Sequence, residues 1–158
     1  MIASLAPRAL ALAAVIAGGF LAGSVQAQSV QDDMQDMPDI VFPGEAVDLA
    51  DLKWERRPLV VFGDSPNDPR FLEQMDFLTE RLDDLAERDV VVLTDTDPDS
   101  GSALRTKLRP RGFMIALIGK DGVVFLRKPL PWDVREITRV IDKMPLRQRE
   151  MQERRGAS

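Results

Sequence analysis

The sequence predicts an α/β fold in which a central mixed sheet, built as βαβ and then ββα, carries helices on both faces. Three observations support this. Four short apolar runs lie between residues 58 and 126, two stripes of helical period separate and follow them, and an Asp-Gly step joins the last two runs.

The first run is Pro58-Leu59-Val60-Val61-Phe62, bounded by Arg56-Arg57 and Gly63, and a continuous apolar run of this length suits a central strand covered on both faces. After the turn residues Gly63 to Pro69, Phe71, Met75, Leu78, Leu82 and Leu85 recur at spacings of four and three. That spacing predicts one helix with a single buried stripe, capped by Asn67 or Asp68, with Pro69 in its first turn. Val90-Val91-Val92-Leu93 is the second strand, which makes a parallel βαβ unit with a right-handed crossover. Asp95 to Gly101 reads as a loop and Ala103 to Leu108 as a short helix ahead of Pro110. Phe113 to Ile118 and Val123 to Leu126 are the last two strands, paired through the hairpin Gly119-Lys120-Asp121-Gly122. A final helix from about Trp132 to Met144 buries Ile137, Val140, Ile141 and Met144, and Pro145 stops it. A parallel βαβ unit followed by an antiparallel hairpin and a helix is the thioredoxin-like arrangement.

Outside this core, Arg8, the apolar run Ala9 to Ala22 and the small-x-small step Val25-Gln26-Ala27 have the form of a secretory signal over residues 1–27. The run is shorter than the ~20 residues a membrane span needs, which favours a cleaved signal with no stable span left behind; the alternative is an uncleaved membrane anchor. Residues 28–47, with Asp32, Asp33, Asp36 and Asp39 and few large apolar side chains, read as an acidic flexible leader. Residues 48–146 form the expected thioredoxin-like domain, and 147–158 a charged C-terminal tail. The location this implies is exported, either periplasmic or secreted.

Cysteine, histidine and tyrosine are absent from the whole chain. Without cysteine no disulfide can form, and without histidine the usual neutral-pH proton shuttle and commonest metal ligand are missing. Net charge is −5, but its distribution is uneven: residues 28–100 hold 20 acidic against 6 basic residues, and residues 101–158 hold 6 against 14. Complementary packing of the two halves accounts for this. The sharper alternative is a basic face of Arg105, Lys107, Arg109, Arg111, Arg127, Lys128, Arg135 and Arg139. An acidic exported domain is no candidate for nucleic acid.

Several blocks carry a more specific likeness. Trp54 with Arg57-Pro58-Leu59-Val60-Val61-Phe62, Gln74, Glu87-Arg88-Asp89-Val90, Leu117 to Gly122 and Ile141 to Arg147, in this order, resemble the domain of unknown function 4174 family. The resemblance spans about Leu49 to Met151. It implies a thioredoxin-like fold in an exported bacterial protein, and it implies no activity and no catalytic residue.

Thioredoxins carry Cys-x-x-Cys at the start of the helix after the first central strand, where the helix N-terminus lowers the thiol pKa. If Phe62 ends the equivalent strand, Asn67-Asp68-Pro69-Arg70 occupies that place. Thiol-disulfide and peroxidase chemistry by the chain's own side chains is thereby excluded. Other chemistries find little support. Asp95-Thr96-Asp97-Pro98-Asp99-Ser100-Gly101 starts like a calcium loop but has Ser100 at the sixth position and Thr106 at the twelfth. Gly119 to Gly122 lacks the surroundings of a phosphate loop, and no serine has a base to activate it. Trp54 and Trp132 read as apolar covers for the sheet.

The expectation is therefore a non-catalytic, redox-inactive module that binds an envelope protein or a small anionic ligand, with no metal and no cofactor. The candidate binding residues are Asp64, Ser65, Asn67, Asp68, Arg70, Arg109 and Arg111, because a helix N-terminus and nearby arginines together favour negative charge. The alternative is an enzyme that uses carboxylates, Asp64 or Asp68, at the same helix start.

Overall fold

The computed structural model of the protein describes residues 39–157; the expected signal peptide and the first part of the leader, 28–38, lie outside the described residues. Five strands form one sheet: β1 (Val41–Pro43), β2 (Arg57–Phe62), β3 (Val90–Asp95), β4 (Met114–Ile118) and β5 (Val124–Lys128). Their order is β1-β3-β2-β4-β5. β1 and β2 pair parallel to β3, β4 pairs antiparallel to β2, and β5 pairs antiparallel to β4. This is the thioredoxin-like arrangement that the order of apolar runs predicts.

β2 is central and buried along its length. Its side chains alternate between two cores, as the pleat requires. Leu59 and Val61 join Val90, Val92, Ile115 and Leu117 on one face, beneath helices α1 (Pro69–Thr79), α2 (Leu82–Ala86) and α4 (Val134–Asp142). Val60 and Phe62 join Val91, Leu93, Ala116 and Ile118 on the other, beneath Leu104 and Leu108 of helix α3 (Ala103–Leu108).

The predicted helix over Phe71 to Leu85 is broken. α1 ends at Thr79, and Arg81 leaves the helical region at φ −142° and ψ 38° before α2 begins. Leu78, Leu82 and Leu85 are all still buried, so the apolar stripe survives the break and gave no sign of it. The cap is resolved in favour of Asp68, whose side chain accepts from Arg70 N–H. In the hairpin, Gly119 N–H donates to Val123 O at 2.8 Å and Asp121 Oδ1 accepts from Val123 N–H at 3.0 Å. Gly122 stands at φ 84°, where a side chain is disfavoured.

Three expectations need correction. The leader over 28–47 gives way to structure by Ile40, which is buried in the core, and Val41 to Pro43 pair with Val92 to Thr94. The bare edge of β3 offers unpaired backbone groups, and even a three-residue strand satisfies them. Of the charged tail expected over 147–158, residues 147–156 lie in helix α5 (Pro145–Gly156), which buries Arg147. Pro145 is its first residue, a position where the missing N–H leaves no bond unmade, so the proline that follows one helix also starts the next. Trp54 does not cover the sheet: it is 61% exposed at φ 72°, with its backbone N–H donating to Lys120 O at 2.7 Å. Trp132 does pack against the core, and buried Gln74 holds it by both backbone groups, accepting from Trp132 N–H at 2.7 Å and donating to Trp132 O at 3.1 Å. Among the described residues no helix is long and apolar enough to cross a membrane.

Candidate functional site

The candidate binding residues Asp64, Ser65, Asn67, Asp68 and Arg70 follow the C-terminal end of β2. Gly63 makes the turn out of the strand; a Cβ there would sit 3.1 Å from both Phe71 Cβ and Ser65 O. Ser65 Oγ accepts from Asn67 N–H at 3.2 Å, and Ser65 O accepts from Asp68 N–H at 3.1 Å. Asp68 then turns its carboxylate back over the loop, accepting from Arg70 N–H at 2.9 Å and from Asp64 N–H at 3.3 Å.

Burial pushes the Asp68 carboxyl up, but N–H donation from Arg70 and Asp64, the charge of Arg70 and the Phe71 N–H outweigh it, and the pKa lies below the usual 3.8. An ionised carboxylate with its oxygens engaged by backbone donors is a cap, and it is poorly matched to proton transfer near neutral pH. A fixed negative charge therefore stands at this helix start.

Arg70 projects from this loop. Its guanidinium lies 5.6 Å from the centroid of the Phe113 ring, its Nε is 3.6 Å from Asp68 Oδ1, and its side chain remains 45% exposed. A Cβ built on Gly112 would stand 3.4 Å from Asp64 Oδ2 and 3.8 Å from Arg70 Nη2. Gly112 at φ 69° thus lets the second loop approach the first. Asp64, Asp68, Arg70 and Gly112 form one constellation. Arg109 and Arg111 flank it as exposed side chains, with Arg109 ending α3 in the left-handed region at φ 50°, and the structure brings neither into contact with Arg70.

Beneath the constellation sits Arg105, which the candidate set did not include. Its Nε donates to Asp95 Oδ1 at 2.7 Å, and its Nη2 donates to Gly63 O at 2.9 Å and Asp95 O at 3.2 Å. Ser102 Oγ donates to Asp95 Oδ2 at 2.5 Å. One guanidinium therefore ties the ends of β2 and β3 to α3, and Asp95, the first residue of the calcium-like stretch, is turned inward. The proposed basic face loses other members in the same way. Arg127 Nη1 donates to Leu108 O at 2.6 Å, and Lys128 lies over the Trp132 ring at 4.6 Å.

A second cluster gathers at the opposite end of β2. Arg57 is wholly buried; its Nη1 donates to Arg88 O and its Nη2 to Glu150 Oε1, each at 2.8 Å. Lys120 Nζ reaches Asp89 at 2.9 Å and Glu150 at 3.0 Å. Arg88 grips Asp142 through two donors at 3.0 Å, and hydrogen bonding to that carboxylate raises the Arg88 pKa further above its ordinary value. Arg147, also buried, lies 3.6 Å from Asp142 and Glu87. Burial raises the Glu150 pKa, yet hydrogen bonds from Arg57 and Lys120 and their charges bring it below 4.5. Pairs cross between the halves in both senses: Lys120–Asp89 and Arg147–Glu87 join a second-half cation to a first-half acid, and Arg57–Glu150 and Arg88–Asp142 do the reverse. The available sequence signal was an arginine beside a wholly apolar run and an Arg147/Glu150 pair one helical turn apart; neither revealed the partner 93 residues away.

No curated protein matches the chain in sequence. Among solved structures it is similar to the Plasmodium yoelii thioredoxin peroxidase I, with a TM-score of 0.48 and 21% identity over 61% of this chain and 76% of that one. A similar likeness joins it to chloroplastic thioredoxin z, with a TM-score of 0.49 and 23% identity over 65% of this chain and 90% of that one. A third is the reduced 2-Cys peroxiredoxin of Plasmodium vivax, with a TM-score of 0.46 and 19% identity over 61% and 81%. The fold assignment rests on the strand order and register described above. Residues 48–150, roughly two thirds of the chain, match the model of the domain of unknown function DUF4174, and the chain belongs to that family.

Proposed function

We propose that this chain is a non-catalytic, redox-inactive thioredoxin-like module of the cell envelope that binds an acidic segment of a partner protein at the former thiol edge. The observation that carries the reading is the position of Arg70. Its guanidinium is held over Phe113 and beside the Gly112 loop, half exposed, while the Asp68 carboxylate below it is engaged by the backbone. Exposed Arg109 and Arg111 add positive charge along the same edge, and the Asp64 and Asp68 carboxylates oppose it. A cation stacked on an aromatic ring keeps donors free for an acidic group. The envelope location rests on the signal-like sequence of residues 1–27, and N-terminal sequencing of the exported protein tests it: a mature start at Gln28 is expected, and retention of Met1 would remove the argument.

The binding reading is tested by recovery of partners from envelope extract with the wild type and with an Arg70→Glu, Arg111→Glu double variant. Loss of specific partners by the folded double variant is expected. Identical recovery would remove this edge from consideration.

A further inference from the structure

At the end of the sheet opposite the thiol position, a cavity of about 170 Å³ opens between the β4–β5 hairpin and the start of α5. Its wall joins two kinds of chemistry. Phe125, Met144 and Leu146 supply apolar surface, and Arg57, Lys120 and Arg149 supply three cations. Gly119 lies so close under the Phe125 ring that a Cβ there would fall 2.6 Å from Cε2, so the ring is seated on bare backbone. The one acid at the wall, Asp121, has a carboxylate oxygen held in the hairpin by Val123 N–H.

The cations are not all satisfied. Arg57 Nε–H is buried without an acceptor, although the other two nitrogens of that guanidinium are bonded. In the adjoining network Arg147 Nη1 and Glu150 Oε2 stand 3.5 Å apart, each without a hydrogen bond. A buried donor without a partner is uncommon, and Arg57 Nε at the cavity wall is one. Arg149 at the rim is exposed and makes no ion pair among the described residues. A cavity of roughly 150 Å³ accommodates a single aromatic ring.

We propose that this cavity binds a small carboxylate with an apolar body, about the size of one aromatic acid. The carboxylate faces Lys120 and Arg149, with buried Arg57 behind them, and the body rests on Phe125, Met144 and Leu146. The mostly apolar wall disfavours a bare phosphate, and the excess of cations disfavours a neutral apolar molecule. The same chemistry is presented by a free carboxylic acid and by the C-terminus of a peptide ending in an apolar residue. The site is distinct from the edge at Arg70, and either can fail without the other.

The test is titration of the purified protein with benzoate, followed by backbone amide NMR and calorimetry. Benzyl alcohol and inorganic phosphate serve as comparison probes, and N-acetylphenylalanine represents a peptide end. Saturable shifts at Gly119 to Gly122, Phe125 and Leu146 are expected, with a Kd of about 1 mM or tighter and binding at least about tenfold weaker for benzyl alcohol and phosphate. Arg149→Glu, at an exposed position with no bond to lose, should weaken benzoate by about tenfold or more, and Leu146→Trp should block it by filling the cavity. N-acetylphenylalanine binding more tightly than benzoate identifies a peptide end as the natural source, and the reverse order identifies a free acid. Absence of saturable shifts, equal binding of benzyl alcohol or phosphate, or unchanged affinity in the folded Arg149→Glu variant would each overturn the proposal.

Discussion

Arg57 Nη2 donates to Glu150 Oε1 at 2.8 Å, joining the first residue of the central strand to the last helix across 93 positions of chain. Arg57 has no exposed side-chain surface and Glu150 little. Charges in such surroundings interact strongly, and each needs its partner to remain there.

Removing one partner should be much worse than losing a surface pair. Glu150→Gln is expected to destabilise the fold by about 2–4 kcal/mol, because Arg57 and Lys120 both lose their shared carboxylate. Urea unfolding curves for the variant and the wild type measure this. A change below about 0.5 kcal/mol, the range of an exposed pair, would contradict it.

The same carboxylate sets an acid limit. The folded pKa of Glu150 lies below its ordinary 4.5, so its stabilising contribution is fully present above about pH 4.5 and is lost as pH falls through the folded value. Asp68, also lowered from 3.8, contributes with the same sign at slightly lower pH. Stability measured from pH 7 to pH 3 should therefore fall more steeply in the wild type than in Glu150→Gln. Parallel curves would refute the assignment.

Deleting α5 offers a sharper contrast. A solvated tail can be cut without effect, but a chain ending at Met144 leaves Arg57 and Lys120 without Glu150 and removes buried Arg147. Such a truncation should fail to give a cooperative thermal transition. A truncated chain that melts at the wild-type temperature would show that the helix is only an appendage.

At the other end of the sheet, Arg105→Lys should not replace the arginine. A single ammonium cannot reach Asp95 Oδ1, Asp95 O and Gly63 O as the planar guanidinium does. We expect both Arg105→Lys and Arg105→Ala to lower stability, the latter by about 3 kcal/mol for an uncompensated buried carboxylate. Full retention of stability by the lysine variant would show that charge alone suffices.

Loss of the cap at Asp68 should be milder. Asp68→Ala removes acceptors for the N–H groups of Arg70 and Asp64 and should cost about 1 kcal/mol. Asp68→Asn should recover most of that at neutral pH, since the amide oxygen still accepts. A loss beyond about 3 kcal/mol would show that Asp68 does more than cap.

The strand order was readable because each piece of it has a local cause. Continuous apolar runs marked Leu59 to Phe62 and Val90 to Leu93 as strands covered on both faces, and Asp121-Gly122 marked the antiparallel return. The break between Thr79 and Leu82 left no trace, because Leu78, Leu82 and Leu85 stay on the buried side whether or not the helix is continuous. Residues 41–43 were too short and too acidic in their surroundings to read as a strand; only the open edge of β3 recruits them. The tail misled for a related reason. Arg147 and Glu150 look like solvated charges until Arg57, Asp142 and Lys120 are folded around them.

By itself, the sequence determined the main alternation of strands and helices, the hairpin, a first-helix cap at either Asn67 or Asp68, and the absence of any thiol from the chain. These follow from residue type and near-neighbour spacing, which act within a few turns of chain. The tertiary structure decided which charges are buried together, that Arg105 rather than Arg109 or Arg111 ties the ends of β2 and β3 to α3, and that Arg57, Lys120 and Arg149 share the wall of a cavity with Phe125. Those outcomes depend on long-range register across the sheet, and the preference of a charge for a partner in a low-dielectric interior is expressed only after distant segments have been brought within a few ångströms.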